Sequence, residues 1–304
     1  MIDTILPIPN RECRGNVSLA AVPPTKRYSP MKTPHPSFRI LPAIFAILAA
    51  AAQLGAAAQV TLAPSKDNSL IQVTSTSAAQ LSNGLGDIFV GRTNQDGQGP
   101  ATISKRRGLM AFDIAGSGIP AGATITSVTL KMRDVMGLNG DRNVTLHRTS
   151  ADWGEGTSFQ SGGMGSAATT GDATWFYRFY NATTPAASTP WATPGGDYAA
   201  TASGGSIVSD DLGAGQSFTW SSATNPAMIA DLQFWLANPA SNFGWTLIGD
   251  ESAGQTAKRL NSSESTIAPN VPPSLVIEYT AVPEPSTLAL AAVAFIGFRF
   301  RHRS

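Results

Sequence analysis

The sequence predicts a mostly β chain, a β-sandwich with one short helix, carrying an apolar signal helix near its start and a short transmembrane helix at its end. Three observations predict it. Only 13% of the 304 residues are charged, while Gly, Ser, Thr and Ala abound, a composition that favours many short strands over helical bundles. Several segments alternate apolar and polar residues with period two, the mark of a half-buried strand. Turn formers separate these segments, at Gly118-Ile119-Pro120, 137–140, Pro194-Gly195-Gly196 and 213–215.

Taken in chain order, residues 1–30 read as a Pro-rich, non-periodic leader, and Met31 is the better start of translation. Met31-Lys32 and Arg39 form a basic region, residues 40–52 an apolar run, and Ala56-Ala57-Ala58 a small-residue cleavage site. These are the three parts of a secretory signal peptide, assigned to 31–58, with the mature chain starting near Gln59. The alternative, a membrane anchor, needs a longer apolar run than one interrupted at Gln53.

Residues 59–281 are expected to form one domain, large enough to be stable on core burial alone. Val128, Leu130 and Met132 point one way while Thr129, Lys131 and Arg133 point the other. Val144, Leu146 and Arg148 oppose Thr145 and His147, and Leu275, Ile277 and Tyr279 oppose Val276, Glu278 and Thr280. Further strands are expected at 88–91, 109–114, 217–220 and 245–248. A helix should start at Asn225-Pro226, with Asn225 as its cap, bury Ile229, Leu232 and Leu236, and stop at Asn238-Pro239. Residues 157–187, rich in Gly, Ser and Thr with aromatics inserted, are too long for a turn and are expected to be a functional loop.

From Val282 the chain reads a Pro-Glu-Pro turn, an apolar stretch over 287–298, then Arg299, Arg301, His302 and Arg303. Basic residues stay on the cytoplasmic side, so the domain lies across the membrane. A dozen apolar residues fall short of the ~20 that span a bilayer comfortably, which fits a transient inner-membrane anchor. The tail resembles the PEP-CTERM sorting signal of Gram-negative bacteria, with Val282, Pro283, Glu284 and Pro285 as its motif. That resemblance implies an exosortase-like processing enzyme as partner and a destination at the cell surface or in the extracellular matrix.

Residues 60–280 resemble the DNRLRE family of exported β-sandwich domains. The landmarks run from Asp67-Asn68 through Ser82-Asn83-Gly84, Gly91-Arg92, Arg106-Arg107, Asp113, Ile119-Pro120 and Asp152-Trp153-Gly154-Glu155. They continue with Gly171-Asp172, Trp175, Asn242-Phe243-Gly244-Trp245, Gly249-Asp250-Glu251 and Lys258-Arg259. The resemblance implies a jelly-roll-like sandwich similar to carbohydrate-binding modules, although 261–264 carries less charge than the family pattern.

Several chemistries can be set aside or narrowed. The one cysteine, Cys13, lies upstream of the signal, so the domain has no thiol for disulfides, nucleophilic attack or metal binding. Twelve Lys and Arg stand against seventeen Asp and Glu between 59 and 281, a net of −5 that argues against nucleic acid as a partner. The domain's single histidine, His147, makes neither a Ser-His-Asp triad nor a multi-histidine metal site, and no cofactor is expected. Carboxylates at Asp152, Glu155, Asp172, Asp250 and Glu251 admit two readings beside turn capping: structural calcium held by Asp152, Glu155, Asp172 and Asp250, or a glycosidase pair.

Sugar rings present an apolar CH face that stacks on aromatic rings and hydroxyls that need polar partners. Trp153, Trp175, Tyr177, Arg178 and Trp191, in and beside the long loop, are the candidate glycan contacts, the alternative being that Trp175 and Phe176 fill core beneath it. Trp220, Trp235 and Trp245 are expected to be core. Lys105-Arg106-Arg107 is either a contact for acidic polysaccharide or a solvated strand end. The expected function is non-enzymatic binding of extracellular polysaccharide, with a structural or adhesion role and a polysaccharide-degrading enzyme as alternatives.

Overall fold

A computed structural model describes residues 57–94, 104–137, 139–210, 216–265 and 271–281. The expected leader, most of the signal peptide and the sorting tail lie outside these residues.

Two antiparallel sheets face each other. The first is organised around the long strand β6 (Thr124–Gly137), which pairs on one edge with β12 (Gln216–Ser221) and on the other with β15 (Ser274–Thr280). Beyond β15 lies β1 (Ala57–Leu62), and past the end of β15 the strand β14 (Lys258–Leu260) continues along β6 and pairs onward with β4 (Ile88–Arg92). The second sheet runs β2 (Lys66–Ile71), β5 (Lys105–Ala111), β13 (Trp245–Ile248), β7 (Arg142–Arg148) and β11 (Gly204–Val208).

β4 belongs to both sheets. Ile88 to Val90 pair with β14, whereas Gly91 and Arg92 pair with Arg106 and Lys105 of β5. The strand turns the corner at Gly91, whose φ of 99° suits glycine, and a Cβ there would stand 2.8 Å from the Thr256 carbonyl oxygen.

Between the sheets lies the main core. Val128, Leu130, Met132, Trp220, Leu275 and Ile277 enter from the first sheet; Met110, Leu146, Trp245 and Leu247 enter from the second. The helix α1 (Ala227–Ala237) packs against this core through Met228, Leu232 and Trp235. Trp245 meets Trp235 edge-on at 4.9 Å and donates its indole N–H to Asp231 Oδ2 at 2.8 Å, which satisfies a buried acid on the helix.

The mostly β, sandwich-like architecture matches expectation, and so do the core positions of Trp220, Trp235 and Trp245. Three local expectations are corrected. Asn225 does not cap the helix with its side chain: its Oδ1 accepts the Gly205 N–H and its amide donates to Ser221, tying the helix start to β11 and β12 instead. The buried face is centred on Met228, Leu232 and Trp235, with Ile229 and Leu236 only half-buried. The strand expected over 109–114 begins at Lys105 and ends at Ala111.

The outer face of the second sheet carries a further core. Leu70, Leu109 and Ala111 pack there against Trp153, Ala173, Trp175 and Trp191, supplied by the segment between β7 and β11. That segment takes part in two small ribbons: its β8 (Ser166–Ala167) pairs with β3 (Leu81–Ser82), from the stretch between β2 and β4, and its β9 (Tyr177–Phe179) pairs with its β10 (Thr189–Pro190). The expected long loop is therefore a covering layer with its own hydrophobic interior. Among the described residues no helix is long and apolar enough to cross a membrane.

Candidate functional site

The sequence-predicted aromatic residues do not share one open surface. Trp153, Trp175 and Trp191 are only 1%, 5% and 5% exposed. Their edges are satisfied internally as well, since Trp153 donates to the Phe243 carbonyl and Trp191 to the Thr174 carbonyl, each at 2.9 Å. Burial leaves all three indoles no face for a sugar ring. Tyr177 and Arg178, on β9, are half-exposed. Tyr177 leans on Tyr180 at 5.8 Å, and Arg178 donates to the Asp152 carbonyl.

The four acids proposed for calcium are each engaged separately. Asp152 pairs with Lys66 at 2.8 Å and accepts the Trp153 N–H; Asp250 accepts the Ser252 N–H and faces Arg142. Hydrogen bonds from Ser252, assisted weakly by the Arg142 charge, hold Asp250 below the usual carboxylate range. Asp172 is buried beneath the loop, where burial pushes its carboxyl up while bonds from Thr169 and Ser158 pull it back. Glu155 accepts the Asp67 N–H at 2.8 Å. Among the described residues no group of three or more His, Cys, Asp and Glu is placed to hold a metal ion.

The basic run of β5 is likewise spoken for. Arg107 forms a two-point bond to Glu251, at 2.7 and 3.1 Å, with its guanidinium 4.9 Å from the Trp175 ring centroid; Lys105 reaches the same carboxylate at 3.0 Å. Arg106 is buried and donates to the Gly163 carbonyl. His147 spans Thr145 Oγ1 and the Ala199 carbonyl at 3.0 and 2.9 Å, a structural role on β7.

A different place offers concave space. Where β4, β14 and β6 lie side by side, Phe89, Arg259 and Met136 form a cross-strand row, because Arg259 pairs with Phe89 on one side and Met136 on the other. A register shift between Leu260 and Arg259 skips Val135 on β6. This bulge puts Met136 on the same outward face as Lys131 and Arg133. Thr93, Asn94, Gln255 and the backbone of Gly162 and Gly163 wall this row into a groove of about 440 Å³.

A smaller lobe of about 130 Å³ continues from it, sharing Ser161 and Arg259, and is lined by Leu85, Asp87, Phe159, Gln160 and Glu264. Met136 and Phe159 are 53% and 63% exposed, large apolar side chains left open beside amides and charges. Arg259 pairs with Asp87, and its guanidinium lies 6.0 Å from the Phe89 ring centroid.

Sequence reasoning named Arg259 only as a family landmark and missed Phe89, Met136, Asn94 and Gln255. The alternation Ile88-Phe89-Val90 marks Phe89 as the residue facing away from the core. What sequence does not carry is that β14 lies between β4 and β6, a pairing of segments more than a hundred residues apart.

Among curated proteins none matches the chain. A family model described as the PEP-CTERM protein-sorting motif matches residues 281–304, beginning directly after β15, and it marks the chain as an exported one that an exosortase processes.

Proposed function

We propose that this chain is a non-enzymatic protein of the cell surface or extracellular matrix whose β domain binds polysaccharide through the groove of Phe89, Met136 and Arg259. The observation that carries the reading is the make-up of that groove: an apolar floor bordered by the amides of Asn94 and Gln255 and by a guanidinium. Sugar rings need this combination of apolar contact and directional polar partners, and the volume falls in the ordinary range for ligand sites. The export address and the resemblance of residues 60–280 to DNRLRE sandwiches support it, with the jelly-roll likeness as part of that resemblance.

The test is binding of the full chain to a panel of neutral and acidic bacterial and algal polysaccharides. Asn94→Ala with Gln255→Ala, both at exposed positions, should weaken binding about thirtyfold, as expected from losing two hydrogen bonds of about 1 kcal/mol each. A panel without a bound polysaccharide, or binding indifferent to the double substitution, overturns the groove reading. One observation favours a purely structural matrix role instead. All six tryptophans of the chain are buried, so the residue best suited to stacking on sugars is spent entirely on packing.

A further inference from the structure

Between residues 59 and 281 the chain carries three Asn-x-Ser/Thr triplets, at Asn143, Asn181 and Asn261, the pattern in which an Asn amide of an exported protein accepts a sugar. Their surroundings separate them. Asn261 is 1% exposed, with its amide donating to the Val271 carbonyl. Asn181 holds a turn, its Oδ1 accepting the Thr183 and Thr184 N–H groups at 3.1 and 2.8 Å.

Asn143 is exposed, and no hydrogen bond among the described residues holds its side-chain amide. It is the second residue of β7, whose alternation sends Val144 and Leu146 into the core and Asn143 outward. On one side β13 ends at Ile248, opposite Thr145, so no strand of the described residues runs beside Asn143 there. On the other side its cross-strand partner is Ile207, a large aliphatic side chain left 59% exposed. Its Oδ1 lies over Gly205, 3.0 Å from where a Cβ would stand, so the glycine leaves the amide its room. The covering layer reaches His147 through Tyr198, at 5.3 Å, and stops short of this end of the strand.

The sequence around Asn143 also differs from the other two. Exposed Asp141 stands two residues before it, making Asp-Arg-Asn-Val-Thr, whereas Phe179 and Arg259 hold that place before Asn181 and Asn261. An acid there gives a transferase a charged contact in addition to the amide and the Thr hydroxyl.

We propose that Asn143 is an N-glycosylation site, its donor an oligosaccharide carried on a polyprenyl pyrophosphate, with Asp141 and Thr145 read by the transferase. Asn143 Nδ2 forms a bond to the anomeric carbon of the first sugar, and the bond from that carbon to phosphate breaks. The polyprenyl pyrophosphate leaves with the electron pair, and the amide proton passes to a base of the transferase. In the folded domain Thr145 Oγ1 lies 3.0 Å from His147 Nε2 and donates to the Ile248 carbonyl at 3.2 Å, so the hydroxyl is read before β13 joins β7. Once the domain closes, the first sugar stands beside Ile207 and covers its open apolar surface.

The experiment expresses the full chain in a Gram-negative host that carries an N-linking oligosaccharyltransferase and its lipid-linked oligosaccharide, beside a control protein that this host glycosylates. Peptide mapping by mass should find one oligosaccharide on the peptide that holds Asn143. Asn143→Gln should abolish it with the melting midpoint unchanged, and Asn181→Gln should leave it in place. Asp141→Ala should lower occupancy at least about tenfold, the loss of one charge-assisted contact. If Asn143→Gln fails to fold, Thr145→Val, of the same shape without the hydroxyl, carries the same test. An unmodified Asn143 in a host that modifies the control, or occupancy indifferent to both Asp141→Ala and Thr145→Val, overturns the proposal.

Discussion

Asp67 is the second residue of β2 and has no exposed surface. Its Oδ2 accepts the Ser263 N–H at 2.7 Å, while Oδ1 is buried without a hydrogen-bond partner. Burial pushes its carboxyl well above the usual range, and the neighbouring charges of Glu264 and, more weakly, Glu155 push the same way. An acid whose pKa is raised by folding contributes its full stability while neutral, below the ordinary aspartate value, and that contribution is lost as pH rises through the raised value. Asp67→Asn keeps the shape and an acceptor for Ser263 while removing the charge. The variant should therefore melt higher than the parent at pH 7, by about 2–4 °C for each kcal/mol recovered, with the difference closing as pH falls below about 4. Melting curves of both proteins at pH 3.5 and 7 decide it, and a pH-independent difference would count against the electrostatic origin. Period-two patterning does not reveal β2, because Asp67, Asn68 and Ser69 are all buried and the strand shows no alternation. Only the family resemblance singled out Asp67-Asn68. The structure gives the physical reason: Asn68 Oδ1 accepts from Ser82 Oγ and the N–H groups of Ser69 and Asn83, so this polar pair ties β2 to the turn after β3.

At the scale of elements, Glu251 shows how the covering layer is held to the sandwich. It follows β13 and grips Arg107 of β5, whose guanidinium lies against Trp175 and Tyr198 of the covering segment and donates to the Gly195 carbonyl. Burial works against the ionised Glu251, but the hydrogen bonds and charges of Arg107 and Lys105 more than offset it and hold the carboxyl below the usual glutamate range. A depressed acid contributes stability that is present above its unfolded value and lost as pH falls through its folded one. Glu251→Gln leaves Arg107 mostly buried without its counter-charge and should cost about 3 kcal/mol at pH 7. The cost should shrink as acid titrates the parent's own Glu251. Urea unfolding of both proteins at pH 7 and pH 3 measures this, and an equal cost at the two values would assign the loss to packing alone. The strands that alternate cleanly, β6, β7 and β15, were legible because each buries one face. The edge strand β1, the all-buried β2 and the short β14 were not, and β14 is the one that builds the candidate groove. Its three residues acquire meaning only from neighbours distant in sequence, which local pattern does not encode.

For the whole molecule, the address and the domain answer to different physics. A sorting tail acts as a linear motif beside an apolar stretch, so it can be read residue by residue. The groove on the sandwich is assembled from strands that meet only after folding, and the tryptophans whose ring type suits sugar are committed to packing. The tail match begins at residue 281, directly after β15 ends at Thr280, so changes in the motif should leave the domain's pairing with β1 and β6 intact. Pro283→Ala with Pro285→Ala removes the two prolines of the motif while leaving Glu284 and the apolar stretch unchanged. The doubly substituted chain should accumulate unprocessed in the inner-membrane fraction, with the melting midpoint of its domain unchanged. Fractionation with mass measurement of the C-terminus checks this in an exosortase-bearing Gram-negative host. Normal processing and release of the variant would mean that the apolar stretch and its basic end suffice for sorting, and that the Pro-Glu-Pro motif is not the element the processing enzyme reads.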